Sequence, residues 1–440
     1  MSSIFKAYDI RGIYGDTLSD DLAYKIGRAY VTFLKCKSVV VGRDMRPHSV
    51  PLFKALTNGI RDQGADVVDI GMCSTPMSYF ANGSLKAEGS IMITASHNPG
   101  EWNGFKLCRE NAIPISGITG IKDIEKIVQN ETFAPKAEKT GTVSTHNVTA
   151  EYVKHIQSYA ALKRPVHIAI DYANGMGIEE GKVFEGLLTA DSLFDTLDGN
   201  FPNHEANPLH LETFAALQEK VRKGKYDFGV YFDGDADRAG FCDENGDIVS
   251  MDMITGLIAE AMLKRDGGGA IFYDLRSSWA IKELIEENGG QPMMSRVGHA
   301  FIKKQMREAD AVFAGELSGH YYFKDNFFTE SSSLAVIYVA NLVSQSGKTL
   351  SELIKPIRRY FASGEINSEV ADSKALFEKL KRKYSGGKVI ELDGLSIEFD
   401  NWWFNVRGSN TEPLVRLNME ARSKALMEEK RDELLAIIRG

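Results

Sequence analysis

Asp233, Asp235 and Asp237 alternate along the run Asp-Gly-Asp-Ala-Asp-Arg, directly after the apolar stretch Phe228-Gly-Val-Tyr-Phe232. Three carboxylates so close together repel one another, so a chain that folds them into one place needs a compensating cation. Hard oxygen donors of this kind suit Mg²⁺, Mn²⁺ or Ca²⁺ rather than zinc. Gly234 and Ala236 keep the loop narrow, and Arg238 adds a fixed positive charge suited to phosphate. The competing reading is a calcium-binding EF-hand, because Glu244 falls at its twelfth position when Asp233 is the first. That loop, however, requires glycine at its sixth position, where this chain has Arg238, and it lies between helices. Here β-like residues flank the loop, and Asp243-Glu-Asn-Gly246 carries hairpin turn chemistry. A catalytic metal loop is the better reading.

Three further loops carry reactive or anion-binding groups. In Thr94-Ala-Ser-His-Asn-Pro99, Ser96 stands on a tight turn with His97 beside it, placed as an exposed nucleophile or phosphate carrier. Simple capping of the turn is the alternative. A phosphate on Ser96 would add an oxygen to the coordination of an ion on the aspartates. Arg407-Gly-Ser-Asn-Thr411 combines a guanidinium with small hydrogen-bonding groups, either a phosphate cradle or an ordinary hairpin loop. Gly315-Glu-Leu-Ser-Gly-His320 offers a carboxylate, a hydroxyl and an imidazole, a set suited to neighbouring sugar hydroxyls. Arg11, Lys106 and His299 are additional candidates, although each taken alone reads more simply as an ion pair or a satisfied polar residue.

The elements around these loops repeat. Ser38-Val-Val-Val41, Val166-His-Ile-Ala-Ile170 and Ala270-Ile-Phe-Tyr273 each run into a turn and then a helical stretch, over Val50 to Gln63, Gly177 to Leu188 and Trp279 to Asn288. A second strand and a third follow in each block, and the third strands end at Ser96, at the aspartates and at Glu316. This alternation predicts three similar mixed α/β sheet domains. Ligands of open α/β sheets bind beyond the carboxyl ends of the strands, so the three third turns meet if the domains share a central cleft. The tail predicts a C-terminal α+β domain with an antiparallel sheet. The expected boundaries are 1–150, 151–250, 251–364 and 365–440.

Composition narrows the function classes. A chain of 440 residues suits three or four domains, at about 100–150 residues each. The net charge of −8 argues against general affinity for nucleic acid or anionic membranes, so an anionic ligand must be held by local basic groups. Four scattered cysteines without metal-ligand spacing fit a reduced cytoplasmic protein. No apolar run is long enough for a signal peptide or a spanning helix.

The four loops, in this order and one per domain, resemble the signature loops of the α-D-phosphohexomutases. Glu316-Leu-Ser-Gly-His320 and the opening Ala7-Tyr-Asp-Ile-Arg-Gly12 resemble the phosphomannomutase/phosphoglucomutase branch. The resemblance covers essentially the whole chain. It implies four domains around a cleft and interconversion of hexose 1-phosphate and 6-phosphate through a phosphoserine and a sugar 1,6-bisphosphate. It further implies Ser96 as phosphoryl carrier and Mg²⁺ on Asp233, Asp235 and Asp237 with a phosphoserine oxygen. Arg238 would position the phosphoserine or substrate, while Arg11, Lys106 and His299 would be acid/base or charge-stabilising groups. Glu316 and Ser318 would bind sugar hydroxyls, with Tyr8 and His320 also lining the site. Arg407, Ser409, Asn410 and Thr411 would hold the phosphate that is not reacting. The chain departs from some relatives in having Asp274-Leu-Arg276 where they carry a lysine, so Arg276 would supply that charge. Rival readings are a phosphoglucosamine mutase, a metal-dependent sugar phosphatase and a calcium-binding module.

Overall fold

Strands that are buried along their whole length form the centres of the first three sheets, which explains why Gly89–Ile93 and Phe228–Phe232 read as continuous apolar runs. The structure, a computed structural model, describes residues 4–408 and 414–440. Each of the first three domains is built on one pattern. A central strand (Ser38–Arg43, His167–Asp171 or Gly269–Asp274) lies between two parallel neighbours. These neighbours are Asp66–Met72 and Gly89–Ile93 in the first sheet, and Thr189–Leu193 and Phe228–Phe232 in the second. In the third they are Gly290–Ser295 and Phe313–Gly315. An antiparallel strand then folds back on the third of each set: Trp102–Arg109, Ala239–Cys242 and Tyr321–Phe323.

The hairpin turns between those last two strands contain Ser96, the three aspartates, and Glu316 to His320 respectively. All three turns therefore occupy the same end of their own sheet. In the first domain the edge is closed by the N-terminal strand Ile10–Ile13, whose register sets Arg11 opposite Gly104. This brings Arg11 to the Ser96 loop from far away in the chain.

The last sheet is antiparallel throughout, with Leu414–Ala421 and Trp402–Gly408 at its centre. Helices Ser373–Lys383 and Lys424–Arg439 complete this α+β domain, with N-caps Asp372 and Ser423 accepting from the backbone of their first turns. One expected element is shorter than predicted. The helix over Gly177 to Leu188 stops at Gly181. Glycines at 177, 181 and 186 weaken it, and Gly186 takes a left-handed φ of 73° that continues no right-handed helix.

The core crosses the domain boundaries. One cluster of buried residues joins Met77 and Phe80 of the first domain with Phe232 of the second and Leu334 of the third. Glu180 lies at the same seam with no exposure, accepting from the hydroxyls of Ser74, Tyr152 and Ser333. Among the described residues, no helix is long and apolar enough to cross a membrane.

Candidate active site

Ser96 is held in a left-handed conformation, φ 53°, at the tip of the first hairpin turn. Such a backbone costs a non-glycine residue of order 1–3 kcal/mol and persists only where its surroundings impose it. Arg46 supplies that imposition. Its side chain is fully buried, and all five guanidinium N–H donors are spent: Nε on Asp44, Nη1 on the carbonyls of Pro99 and Trp102, and Nη2 on those of Ser96 and Asn98. Arg11 reaches the same loop through the Ala95 carbonyl at 3.2 Å and Asn98 Oδ1 at 2.5 Å.

The Asp loop comes against this turn directly. Ser96 Oγ lies 3.2 Å from Asp233 Oδ2 and 3.1 Å from His97 Nδ1. Gly234 is required by the contact, because a Cβ there would lie 2.4 Å from the Ser96 carbonyl oxygen. The loop is fastened from both neighbouring domains. Thr75 Oγ1 donates to Asp235 Oδ2 at 2.6 Å, and Ser332 Oγ donates to the carbonyl of Ala236 at 2.6 Å. Ala236 is itself left-handed, φ 61°.

Charge explains what the loop needs. Asp233 and Asp235 have no exposure and Asp237 almost none. Burial and the neighbouring Asp237 and Asp235 push the Asp233 carboxyl well above its ordinary range. Lys106 Nζ bridges Asp235 and Asp237 at 2.6 Å each. Burial works against the lysine charge, but those two carboxylates outweigh it and hold its pKa above the ordinary value. These two contacts favour the charged form of Lys106. Among the described residues, Asp235 Oδ1 and Asp237 Oδ1 remain buried without a hydrogen-bond partner, and the three carboxylates offer ligand atoms within 4.8 Å of one another. An all-oxygen set with orphaned lone pairs fits a divalent hard cation.

The third loop completes the wall. His320 Nε2 stands 3.3 Å from Asp237 Oδ1, and its Nδ1 stands 3.3 Å from Glu316 Oε2. Burial disfavours the imidazolium, yet Asp237 and Glu316 raise its pKa to about 9. Asp237 Oδ1 and Arg238 Nε both lie 3.3 Å from that Nε2, with Arg238 Nε directed at it as a donor. Arg238 Nη1 is buried without a partner among the described residues, which leaves a donor for an anion. Glu316 is oriented by the Gly298 N–H at 3.0 Å and the Tyr322 hydroxyl at 2.5 Å, while Ser318 Oγ contacts His320 Nδ1 at 2.8 Å. Tyr8 packs edge-on against His299, with its hydroxyl on the Val297 carbonyl.

Sequence profiles of the phosphoglucomutase/phosphomannomutase family match the chain in order: α/β/α domain I over 2–135, domain II over 150–246, domain III over 250–360 and the C-terminal domain over 365–437. The chain belongs to this phosphohexomutase family. It is 42% identical over 448 residues to a phosphomannomutase of Escherichia coli K12, covering 99% of this chain and 98% of that one. It is also 42% identical over 441 residues to a phosphomannomutase of Methanocaldococcus jannaschii, covering 99% and 97%. Among solved structures, a phosphoglucomutase/phosphomannomutase family protein from Burkholderia thailandensis superposes with a TM-score of 0.91 at 33% identity, covering 99% of this chain and 96% of that one.

Within this phosphohexomutase, the remaining predicted residues divide. Arg407 Nη2 donates to Glu365 at 3.0 Å, which ties the last domain's arginine to a carboxylate shared with Arg276 and Arg416. Arg276 is buried and doubly bound to Asp274, so much of its charge is already matched. Ser409, Asn410 and Thr411 lie outside the described residues. Sequence reading passed over Arg46, Thr75, Glu330 and Glu365. Only Arg46 left a signal, in the Gly42-Arg-Asp-Met-Arg46 turn that ends a strand at the correct edge.

Proposed function

We propose that this phosphohexomutase interconverts the 1-phosphates and 6-phosphates of mannose and glucose through a phosphoserine at Ser96 and a sugar 1,6-bisphosphate. The observation that carries the reading is the meeting of Ser96 with Asp233 at 3.2 Å inside a ring of cations. Mg²⁺ on Asp233, Asp235 and Asp237, with a phosphoserine oxygen, would supply Lewis-acid charge beside the transferring group. The four functional units are taken as 1–150, 151–250, 251–364 and 365–440.

The protein's own groups divide the remaining work. A sugar hydroxyl oxygen attacks the phosphoserine phosphorus; the new O–P bond forms as the Ser96 Oγ–P bond breaks, and the hydroxyl proton passes to a basic side chain. Lys106, Arg11 and Arg238 stabilise charge on the phosphoryl oxygens, which is where most of the catalysis of phosphoryl transfer resides. His299 is the better acceptor of the proton, since burial, then Lys303, lower its pKa and keep the ring neutral. Glu316 and Ser318 bind sugar hydroxyls, with Tyr8 and His320 lining the same wall. Arg407, Ser409, Asn410 and Thr411 hold the distal phosphate, and Arg276 supports that site through Glu365. The bisphosphate then turns so that its other phosphate meets Ser96. Four buried free cysteines support a reducing cytoplasmic setting.

A coupled mutase assay with Mg²⁺ and a trace of sugar 1,6-bisphosphate tests the reading. Mannose 1-phosphate and glucose 1-phosphate should be isomerised faster than glucosamine 1-phosphate, and Ser96→Ala should abolish turnover. Full activity in that variant excludes the carrier role, and release of inorganic phosphate in place of isomer favours a phosphatase.

A further inference from the structure

Behind His299 lies a buried ion pair to which the proposed chemistry gives no part. Lys303 Nζ binds Glu330 Oε2 at 2.8 Å, and neither side chain has any exposure. The lysine also sits 4.2 Å from the centre of the Tyr79 ring, which comes from the first domain. The second oxygen, Glu330 Oε1, faces His299 Nδ1 at 3.4 Å. Each of these two atoms is buried and makes no hydrogen bond among the described residues, this 3.4 Å approach being the ion-pair contact between them. A single proton carried on Nδ1 and shared with the carboxylate would satisfy both.

We propose that Glu330 is a positioning residue for His299, holding its neutral ring in the Nδ1–H tautomer so that Nε2 is the basic nitrogen presented to the substrate. A proton placed on Nδ1 toward Glu330 leaves Nε2 as the ring's remaining nitrogen. The ring itself borders the cleft: Tyr8 packs on it edge-on at 5.7 Å and His320 lies parallel to it at 6.5 Å. Lys303 holds the carboxylate ionised, overcoming the burial that opposes it. When the sugar hydroxyl attacks the phosphoserine, its proton moves to Nε2, the Ser96 Oγ–P electron pair stays on Oγ, and Glu330 offsets the imidazolium charge. The return half-reaction delivers the proton back. A carboxylate behind a histidine sets tautomer and orientation in the same way in other enzymes.

The proposal rests on the mutase reading for its kinetics, but its geometry can be tested separately. In the full chain labelled with ¹⁵N-histidine, and with the His299 signal assigned by its loss in His299→Gln, the ring should be the Nδ1–H tautomer. In Glu330→Gln it should lose that preference. The same variant should lower kcat by at least about tenfold with KM changed less than about twofold, the pattern of an interaction made only in the transition state. Combining Glu330→Gln with His299→Gln should cost no more than His299→Gln alone. If Glu330→Gln fails to fold because Lys303 is left unpaired, Lys303→Met/Glu330→Gln removes both charges and takes its place. An Nε2–H tautomer in the wild type, or multiplicative losses in the double variant, overturns the role of Glu330. A wild type without any mutase turnover overturns the functional reading instead, and the tautomer measurement still decides the other question.

Discussion

Ser96 Oγ and Asp233 Oδ2 stand 3.2 Å apart although 137 positions separate them in the chain. The contact unites two hairpin turns from two sheets, and it depends on the absence of a side chain at Gly234. Replacing Gly234 with alanine would drive a Cβ into the Ser96 carbonyl oxygen, 2.4 Å away, and part the two turns. Gly234→Ala should therefore lower kcat by about a hundredfold, the scale expected for a displacement of about 1 Å. Steady-state kinetics beside a circular-dichroism check of folding would read it; unchanged kcat would mean the loops do not cooperate.

The orphaned oxygens of Asp235 and Asp237 lead to a prediction on metal removal. Chelation should abolish mutase activity, and Mg²⁺ or Mn²⁺ should restore it. Binding to the folded form alone should also stabilise the chain, by about 2.7 kcal/mol at a hundred times the dissociation constant. A thermal-shift titration should show this gain in the wild type and its loss in Asp233→Asn.

Arg46 makes a sharper structural prediction. Lysine has three donors on a point charge, whereas the Ser96 turn uses five in a planar fork. Arg46→Lys should leave two buried carbonyls unsatisfied and cost about 2–4 kcal/mol in a urea titration. Activity should fall further than stability predicts, because Ser96 loses its left-handed hold. A variant of wild-type stability and rate would contradict the clamp.

Glu180 gives the pH dependence. Burial raises its pKa from 4.5 to about 7 against the lowering effect of Ser333, Ser74 and Tyr152. Between those two values the native chain keeps a proton that the unfolded chain has released. Its contribution is thus fully present below about 4.5 and is lost as pH rises through about 7, by up to about 3 kcal/mol. Melting temperatures measured from pH 5 to 8 should fall in the wild type and fall less in Glu180→Gln. Glu420, also raised to about 7 by burial, leaves a residual slope. An identical slope in both proteins would remove Glu180 from the account.

Local patterning was legible because it is local. Continuous apolar strands, turn residues and alternating carboxylates report on neighbours within a few positions, so Phe228–Phe232, the Asp loop and the Ser96 turn could be read directly. The helix after Gly177 was over-read, because an apolar periodicity does not reveal that Gly186 turns left-handed. The pairing of Ile10–Ile13 with Trp102–Arg109, and with it the delivery of Arg11 to the serine loop, left no local mark.

By its own residue types and spacings, the sequence determined which groups are on offer: a hydroxyl on a tight turn, a trio of carboxylates suited to a hard cation, an arginine beside small hydrogen-bonding residues, and three repeated α/β blocks to carry them. Tertiary structure alone decided which charges oppose one another. Lys106 gains two carboxylate partners because folding buries it between Asp235 and Asp237, and His299 acquires Glu330 because two distant elements of the third domain pack together. Electrostatic roles depend on distance and burial in three dimensions, and neither is encoded by position along the chain.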